Sequence, residues 1–102
     1  MGRLHYGDRP YTFEDRALIH LQVVVGAKLR RMESFFLTWT PTEQGGSGRL
    51  SIWLHPGIHL VFEFTDQDAI RLNSDWVKTL TDSSNSGGGL LLTNEPLTPP
   101  GG

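Results

Sequence analysis

The chain has 102 residues, of which 37% are hydrophobic and 20% charged, and this length suits one small domain with a single core. A formal net charge of −2 leaves no overall basic excess that would draw the whole molecule to nucleic acid or to an anionic membrane. The lack of cysteine excludes thiol catalysis, disulfide bonds and cysteine-ligated zinc, and fits a reducing compartment. No apolar run reaches the roughly 18 residues of a membrane span, and the first eleven residues are too polar for a signal peptide, so we expect a soluble cytoplasmic protein.

Residues 2–13 alternate polar and apolar side chains around a Gly-Asp-Arg-Pro sequence, which predicts a short β-hairpin. A helix is expected to begin near Glu14, because Thr12 and Asp15 have the spacing of a capping box. The buried face of this long helix is predicted from apolar residues spaced three and four apart: Leu18, Leu21, Val25, Leu29 and Met32.

After Ser34 the apolar period changes to two, which predicts three consecutive strands over residues 35–40, 49–55 and 58–64. The glycine-rich connection over residues 41–48 is expected to be a mobile loop, whereas the second connection is a tight turn around Pro56 and Gly57. An odd-numbered turn with Gly57 in the left-handed conformation would bring the aliphatic residues of the last two strands onto one face. The sequence thus predicts a central three-stranded antiparallel meander.

A second, short helix is expected to begin at Asn73 or Ser74, with Trp76, Val77 and Leu80 facing the core. The apolar residues 90–93 predict a last strand that joins the sheet. The predicted fold class is therefore α+β, with an N-terminal hairpin, the meander, one long and one short helix, and the order ββαβββαβ. Residues 1–93 should form one compact domain, and residues 94–102, rich in proline and glycine, a disordered tail.

Few residues suggest catalysis. His55 and His59 have the spacing of a helical metal-binding pair, but Pro56 and Gly57 between them break any helix, so ordinary turn and surface histidines are favoured. His5 and His20 are isolated, and no nucleotide-binding glycine motif is present in the sequence. Asp66 and Asp68 read as a solvated acidic turn rather than an acid–base pair. We predict no catalytic residue, no metal site and no cofactor.

A small basic cluster closes the long helix and precedes a strand that contains aromatic residues. Lys28, Arg30 and Arg31 next to aromatic side chains are a candidate nucleic-acid contact, because cations bind phosphates and aromatic rings stack on unpaired bases. Cations at a helix C-terminus are also what the helix dipole prefers, so a purely structural role is the favoured alternative.

A second candidate is the face of the predicted sheet that turns away from the aliphatic core. The predicted register brings Arg49 near Glu63 and Trp53 near His59 or Val61, with Phe36 on the adjoining strand. Exposed aromatic and arginine side chains supply much of the binding energy of protein interfaces. The set predicted to form a protein-binding face is therefore Phe36, Arg49, Trp53, His59, Val61 and Glu63. Alternatively, the N-terminal hairpin or the second helix covers this face and buries it in a three-layered core.

Four segments carry a resemblance to a family of actinobacterial proteins of about a hundred residues: Met1-Gly2-Arg3-Leu4-His5-Tyr6-Gly7, Lys28-Leu29-Arg30-Arg31-Met32-Glu33-Ser34-Phe35, Trp53-Leu54-His55-Pro56 and Asn85-Ser86-Gly87-Gly88-Gly89-Leu90. Members of that family often carry the automatic label "ATP-dependent DNA ligase", which implies at most an accessory role at DNA. A ligase needs a Lys-x-Asp-Gly nucleophile. Neither Lys28 nor Lys78 is followed by that motif.

The sequence therefore predicts a non-enzymatic binding or assembly module that acts through protein–protein contacts, with a homodimer included. The alternative is a nucleic-acid accessory protein that uses the basic end of the first helix. No membrane partner is expected.

Overall fold

The computed structural model describes residues 1–41, 48–66 and 69–97. It confirms the α+β class and the order ββαβββαβ. The elements are β1 (Gly2–Tyr6), β2 (Arg9–Phe13), α1 (Asp15–Arg30), β3 (Phe35–Trp39), β4 (Leu50–Leu54), β5 (Leu60–Glu63), α2 (Ser74–Ser84) and β6 (Leu90–Leu91).

The predicted N-terminal hairpin is present. Strands β1 and β2 are antiparallel, and the pairing of Tyr6 with Arg9 leaves Gly7 and Asp8 as a two-residue turn. Gly7 has a φ of 63°, a conformation that glycine adopts without the steric penalty of a Cβ and that two-residue hairpin turns require. Alternation along β1 buries Leu4 and leaves Arg3 on the opposite, solvent-facing side.

Helix α1 lies close to its predicted position, but its capping box is absent. Thr12 belongs to β2, and the N-cap residue is Glu14, whose side chain makes no capping hydrogen bond. The Asp15 carboxylate instead accepts hydrogen bonds from the backbone N–H groups of Thr65 and Asp66, at 3.3 and 2.7 Å. The prediction failed because Asp15 has a tertiary partner that lies far away in sequence.

The C-terminal end of α1 is a Schellman motif. The backbone N–H of Met32 donates to the Leu29 carbonyl, and that of Glu33 donates to the Lys28 carbonyl. Met32 occupies the left-handed position of this motif, with a φ of 61°, and its side chain is 76% exposed. The assignment of Met32 to the buried face was therefore wrong, because the helix ends before its side chain can reach the core.

The strands form two three-stranded sheets, in the orders β2-β1-β5 (sheet A) and β4-β3-β6 (sheet B). The predicted meander is therefore corrected: β3 and β4 pair antiparallel as expected, but β5 pairs with β1 instead of β4. The Tyr6 hydroxyl donates to the Trp53 carbonyl oxygen (2.7 Å) and accepts from the His55 N–H (3.0 Å). These are backbone groups that a returning β5 would have needed for pairing with β4.

The turn around Pro56 and Gly57 also differs from its prediction. The Ile58 N–H donates to the His55 carbonyl at 3.1 Å, and the Gly57 N–H donates to Nδ1 of His55 at 2.9 Å. Gly57 is not among the described residues with a positive φ. A turn held by His55 has no need of the left-handed glycine and bulge that a paired hairpin would require.

Helix α2 begins as predicted, since the Asn73 side chain accepts hydrogen bonds from the N–H groups of Asp75 and Trp76. It continues to Ser84, and the chain then returns to sheet B as β6, which pairs parallel with β3. This pairing makes sheet B mixed rather than purely antiparallel, because a helical crossover brings the chain back in the same direction as β3.

One core fills the space between the two helices and the inner faces of the sheets. Its buried apolar members are Leu4, Phe13, Leu18, Leu21, Val24, Val25, Phe35, Leu37, Trp39, Leu54, Trp76, Leu80 and Leu90. The rings of Tyr11 and Trp39 meet edge to face with centroids 5.3 Å apart, and this contact joins the two sheets. Within the described ranges, no helix combines the length and apolarity needed to cross a membrane.

Residues 42–47 of the predicted loop, Asp68 of the predicted acidic turn and residues 98–102 of the predicted tail lie outside the described residues. The domain boundary at residue 93 stays a prediction. Beyond that boundary, Glu95 is paired with Arg16 of α1, and the Pro96 carbonyl accepts from the Asn73 side chain at 3.0 Å.

Candidate functional site

An exposed aromatic pair lies on the outer side of sheet B. Phe36 of β3 stands directly opposite Trp53 of β4, and their rings meet edge to face with centroids 4.9 Å apart. Both side chains are about half exposed, Phe36 at 46% and Trp53 at 49%. Alternation along the strands causes this exposure, because Phe35 and Leu54 already face the core. Neither the hairpin nor α2 covers this pair, so the covered alternative is wrong for Phe36 and Trp53.

The aromatic pair belongs to a larger surface, which we call the aromatic face and define as Phe36, Thr38, Ser51, Trp53 and Leu91. The hydroxyl groups of Thr38 and Ser51 are 2.9 Å apart and form a cross-strand hydrogen bond. Leu91 of β6 stands beside Thr38 and is exposed. The aromatic face thus spans all three strands of sheet B, with aromatic rings at one end and an aliphatic side chain at the other.

Two open grooves flank the glycine segment of residues 87–89 beside this face. One, of about 510 Å³, is lined by Lys28, Glu33, Phe36, Trp53 and Ser86 among others. The other, of about 390 Å³, is lined by Thr38, Arg49, Ser51, Ser83 and Leu91 among others. Both grooves are open and lined by polar as well as apolar side chains, which suits the surface of a protein partner more than an enclosed small molecule.

Gly89 holds the glycine segment close to sheet B. Its φ is 86°, and a Cβ atom there would lie 2.6 Å from the Phe36 carbonyl oxygen. A side chain at this position would push the segment away from β3, so glycine is required by both conformation and space.

The predicted nucleic-acid residues do not form one exposed basic patch. Lys28 is only 6% exposed, and its ammonium group donates to the Asn85 side chain at 3.0 Å and lies 3.6 Å from the Glu33 carboxylate. Arg31 pairs with the same carboxylate at 3.2 Å, and both Arg30 and Arg31 are exposed. Because Glu33 lies between the cations, this helix end offers much less positive potential than the sequence indicates.

The remaining members of the predicted protein-binding set are split between the two sheets. Val61 and Glu63 lie on β5 of sheet A, where their neighbours across the strand are His5 and Arg3. Exposed His59 precedes this strand, and its carbonyl accepts from the Gly7 N–H. The predicted proximity of these residues to Trp53 and Arg49 was therefore wrong, because the register argument assumed that β4 and β5 pair.

Glu63 forms a small polar cluster on sheet A. His5 Nε2 lies 2.7 Å from the Glu63 carboxylate, and an Arg3 nitrogen lies 4.0 Å from it. The hydrogen bond with His5 is the main cause of a lowered pKa of Glu63, and the positive charge of Arg3 lowers it further. Among the described residues, no three histidine, aspartate or glutamate side chains are grouped closely enough to hold a metal ion.

A buried polar network, which was not predicted from the sequence, lies near the N-terminal end of α1. His20 is fully buried, with Nδ1 2.6 Å from the Arg16 carbonyl and Nε2 2.8 Å from the Asn73 N–H. A carbonyl only accepts and an N–H only donates, so these partners assign the neutral ring with its proton on Nδ1. The Asn73 amide also donates to Glu95 at 2.9 Å. The only sequence signal was a histidine on the apolar side of a helix, which does not identify its partners.

The network borders a cleft of about 250 Å³ between the start of α1 and the segment after β6. Phe13, Trp39 and Trp76 supply apolar walls, and Arg16 and Glu95 supply the polar rim. The Trp76 indole nitrogen is buried, and none of the described residues accepts a hydrogen bond from it. Arg16 and Glu95 neutralise each other in a direct ion pair. Neither of these two side chains is therefore free to bind a charged substrate in the cleft.

Comparison with known proteins identifies a domain family. The chain matches a domain of unknown function, DUF7882, over residues 1–95. No curated protein and no solved structure matches the chain. The matched range covers both sheets, both helices and the Arg16–Glu95 ion pair, so it includes every element described above. The chain therefore belongs to the DUF7882 family, whose function is unknown.

Proposed function

We propose that this domain is a non-enzymatic protein-binding module and that the aromatic face of sheet B is its binding surface. The observation that carries the proposal is the exposure of Phe36 and Trp53 side by side on a regular sheet. Large rings held by a rigid backbone bury much apolar area at little cost in conformational entropy, which is why aromatic residues are frequent at the centre of interfaces.

The partner is a protein that presents an apolar side chain to the Phe36–Trp53 pair and polar groups to the two grooves. Thr38, Ser51 and Ser86 offer hydroxyl groups around the aromatic rings, which resembles the polar rim of a protein interface. The working compartment in this proposal is the cytoplasm. Val61 and Glu63 are not part of the surface, since they lie on sheet A.

A nucleic-acid accessory role, with the ligase label of the resembling actinobacterial family, is the alternative. The engagement of Lys28 with Asn85 and Glu33 argues for a structural role of this lysine, and Arg31 shares the Glu33 carboxylate. We therefore expect no binding to single- or double-stranded DNA that weakens steeply with salt. Fluorescence anisotropy at low salt tests this, with Arg30→Ala/Arg31→Ala as the paired variant; strong binding that this variant loses would favour the alternative.

Site-specific photocrosslinking in the native host tests the protein-binding proposal. A photoreactive phenylalanine analogue replaces Phe36 in one variant and Val61 in a control, because Val61 is similarly exposed but lies on the other sheet. The analogue at position 36 should give a discrete protein adduct. An excess of the unlabelled wild-type chain should compete this adduct away, whereas an excess of unlabelled Trp53→Asp should not. Equal adducts from both positions, or none from position 36, would contradict the proposal.

A further inference from the structure

Strand β4 is an edge of sheet B whose backbone is open over part of its length. In an antiparallel pair, successive residues direct both backbone groups first towards the partner strand and then away from it. The Trp53 carbonyl and the His55 N–H face away from β3, because both are bonded to the Tyr6 hydroxyl. The same alternation turns the backbone groups of Ser51 and Arg49 to this edge, together with the N–H of Trp53.

These groups have no partner within the part of the chain that the structure describes. No backbone or side-chain hydrogen bond occupies the Ser51 N–H, the Ser51 carbonyl, the Trp53 N–H or the Arg49 carbonyl. Tyr6 closes the edge at the Trp53 carbonyl, so the open stretch runs from Arg49 to the Trp53 N–H. An unpaired edge of this kind is a template for another strand.

Strand β4 also lacks the features that prevent edge strands from pairing with other chains. Soluble proteins protect their edges with lysine, proline, bulges or inward-pointing charges. β4 reads Leu-Ser-Ile-Trp-Leu, with no charge and no proline, and its paired register with β3 is continuous from Leu50 to Leu54. Leu50 and Trp53 are both exposed, so apolar surface lies on each side of the open edge.

We propose that β4 pairs antiparallel with β4 of a second copy of this chain, in a register centred on Ser51. This register places the Ser51 N–H against the Ser51 carbonyl of the other copy, and the Trp53 N–H against the Arg49 carbonyl. Twofold symmetry repeats both bonds, as an isologous interface requires. This register leaves only the Arg49 N–H without its partner, because Tyr6 occupies the Trp53 carbonyl. A register centred on Ile52 would instead direct the Ser51 N–H, one of its central donors, to that occupied carbonyl.

The side chains agree with this register. On one side of the joined sheet, Arg49 of each copy faces Trp53 of the other, a cation–π arrangement that the exposed indole permits. On the other side, Leu50 of each copy faces Ile52 of the other. The result is a continuous six-stranded sheet that carries two aromatic faces. This inference rests on the proposed function, because it names a second copy of the chain as the partner at the β4 edge of the aromatic face.

Disulfide crosslinking through a single introduced cysteine tests the register directly, because the natural chain has no cysteine that could form a competing disulfide. In the proposed dimer the two Ser51 residues are directly opposite, with Cα atoms about 5.5 Å apart. That separation is within the usual range for a disulfide. Ser51→Cys should therefore form a covalent dimer on mild oxidation with diamide at micromolar protein. Ser86→Cys, at an exposed position off the edge, is the matched control and should stay monomeric on a non-reducing gel. Equal crosslinking of the two variants would overturn the register.

A proline substitution tests the backbone hydrogen bonds between the two β4 strands. Ser51→Pro removes an N–H that the β3–β4 pairing does not use, whereas Ser51→Ala keeps it and loses only the hydroxyl contact with Thr38. In sedimentation equilibrium, wild type should show a concentration-dependent dimer, and Ser51→Pro should weaken it roughly tenfold or more relative to Ser51→Ala, which retains the backbone N–H. If Ser51→Pro does not fold, Arg49→Glu, which lies outside the core, should weaken the dimer severalfold instead.

A wild-type chain that stays monomeric at hundreds of micromolar would overturn the self-pairing, as would a dimer that neither Ser51→Pro nor Arg49→Glu weakens. A monomeric chain that still crosslinks through position 36 to a different protein would overturn only the self-pairing. The protein-binding proposal would survive that result. A dimer in which position 36 gives no adduct to another protein would support the self-pairing and contradict the proposal that Phe36 contacts a different protein.

Discussion

Glu95 should make the stability of this domain depend on acid. Arg16 holds its carboxylate through two short contacts, Nε to Oε1 and Nη2 to Oε2, both at 2.6 Å. The hydrogen bonds from Arg16 and then from Asn73 are the main causes that lower the pKa of Glu95 from 4.5 to about 2. Replacing Glu95 with glutamine keeps the size of the side chain but removes its charge.

The magnitude follows from this pKa. One pKa unit corresponds to about 1.4 kcal/mol, so the lowering of the Glu95 pKa from 4.5 to about 2 is equivalent to at most about 3.5 kcal/mol of folding free energy. Glu95 is 29% exposed and Arg16 42%, and solvent screening at that exposure reduces the expected contribution to about 1–2 kcal/mol. Because the pKa in the folded state is the lower one, this stability is complete above about pH 5 and declines as pH falls from about 4.5 to about 2.

Urea denaturation followed by circular dichroism at several pH values tests the reasoning. At pH 7, Glu95→Gln should unfold with about 1–2 kcal/mol less free energy than wild type, and the difference should shrink steadily below pH 4.5. Asp8→Asn, in the exposed hairpin turn, serves as a control for the loss of one carboxylate. Parallel pH profiles for wild type and Glu95→Gln would refute the assigned role of this ion pair.

Two further predictions concern backbone conformation. Met32→Gly should raise the free energy of unfolding by about 0.5–1 kcal/mol, because glycine adopts the positive φ of the Schellman position without a Cβ penalty. An unchanged or lower melting temperature would contradict this prediction. Gly89→Ala should lower the free energy of unfolding by about 2 kcal/mol or more, because the new Cβ would lie 2.6 Å from the Phe36 carbonyl oxygen. Gly87→Ala is the control. Its Cβ would meet no atom within 4 Å, so it should change the free energy of unfolding by less than about 1 kcal/mol.

The candidate site was only half predictable from the sequence. Alternation within β3 and β4 is a local property, so it correctly placed Phe36 and Trp53 on the outer side of their strands. The choice of neighbouring strand is not local. The apolar residues of β5, Leu60 and Phe62, meet Tyr6 and Leu4 of β1 as well as they would have met β4. The sequence pattern therefore could not tell that Val61 belongs to another sheet.

The basic end of α1 shows a similar division. The sequence places three cations at a helix C-terminus, and that position is correct. Whether a lysine there is solvated depends on what packs over it, and only the fold brings Asn85, which is 57 residues away, to within 3.0 Å of Lys28. A buried ammonium must be hydrogen-bonded, so its partners come from tertiary contacts and not from its helix neighbours.

The sequence by itself determined the α+β class, the order of the eight elements, the inward face of most of them and the absence of cysteine chemistry, because these depend on periodicity, turn residues and composition. Only the tertiary structure decided that the strands divide into two sheets, that Tyr6 closes one end of β4, and that the polar network around His20 and Glu95 forms. The physical reason is that periodicity selects which face of a strand is buried, whereas long-range hydrogen bonds select which strand lies beside it.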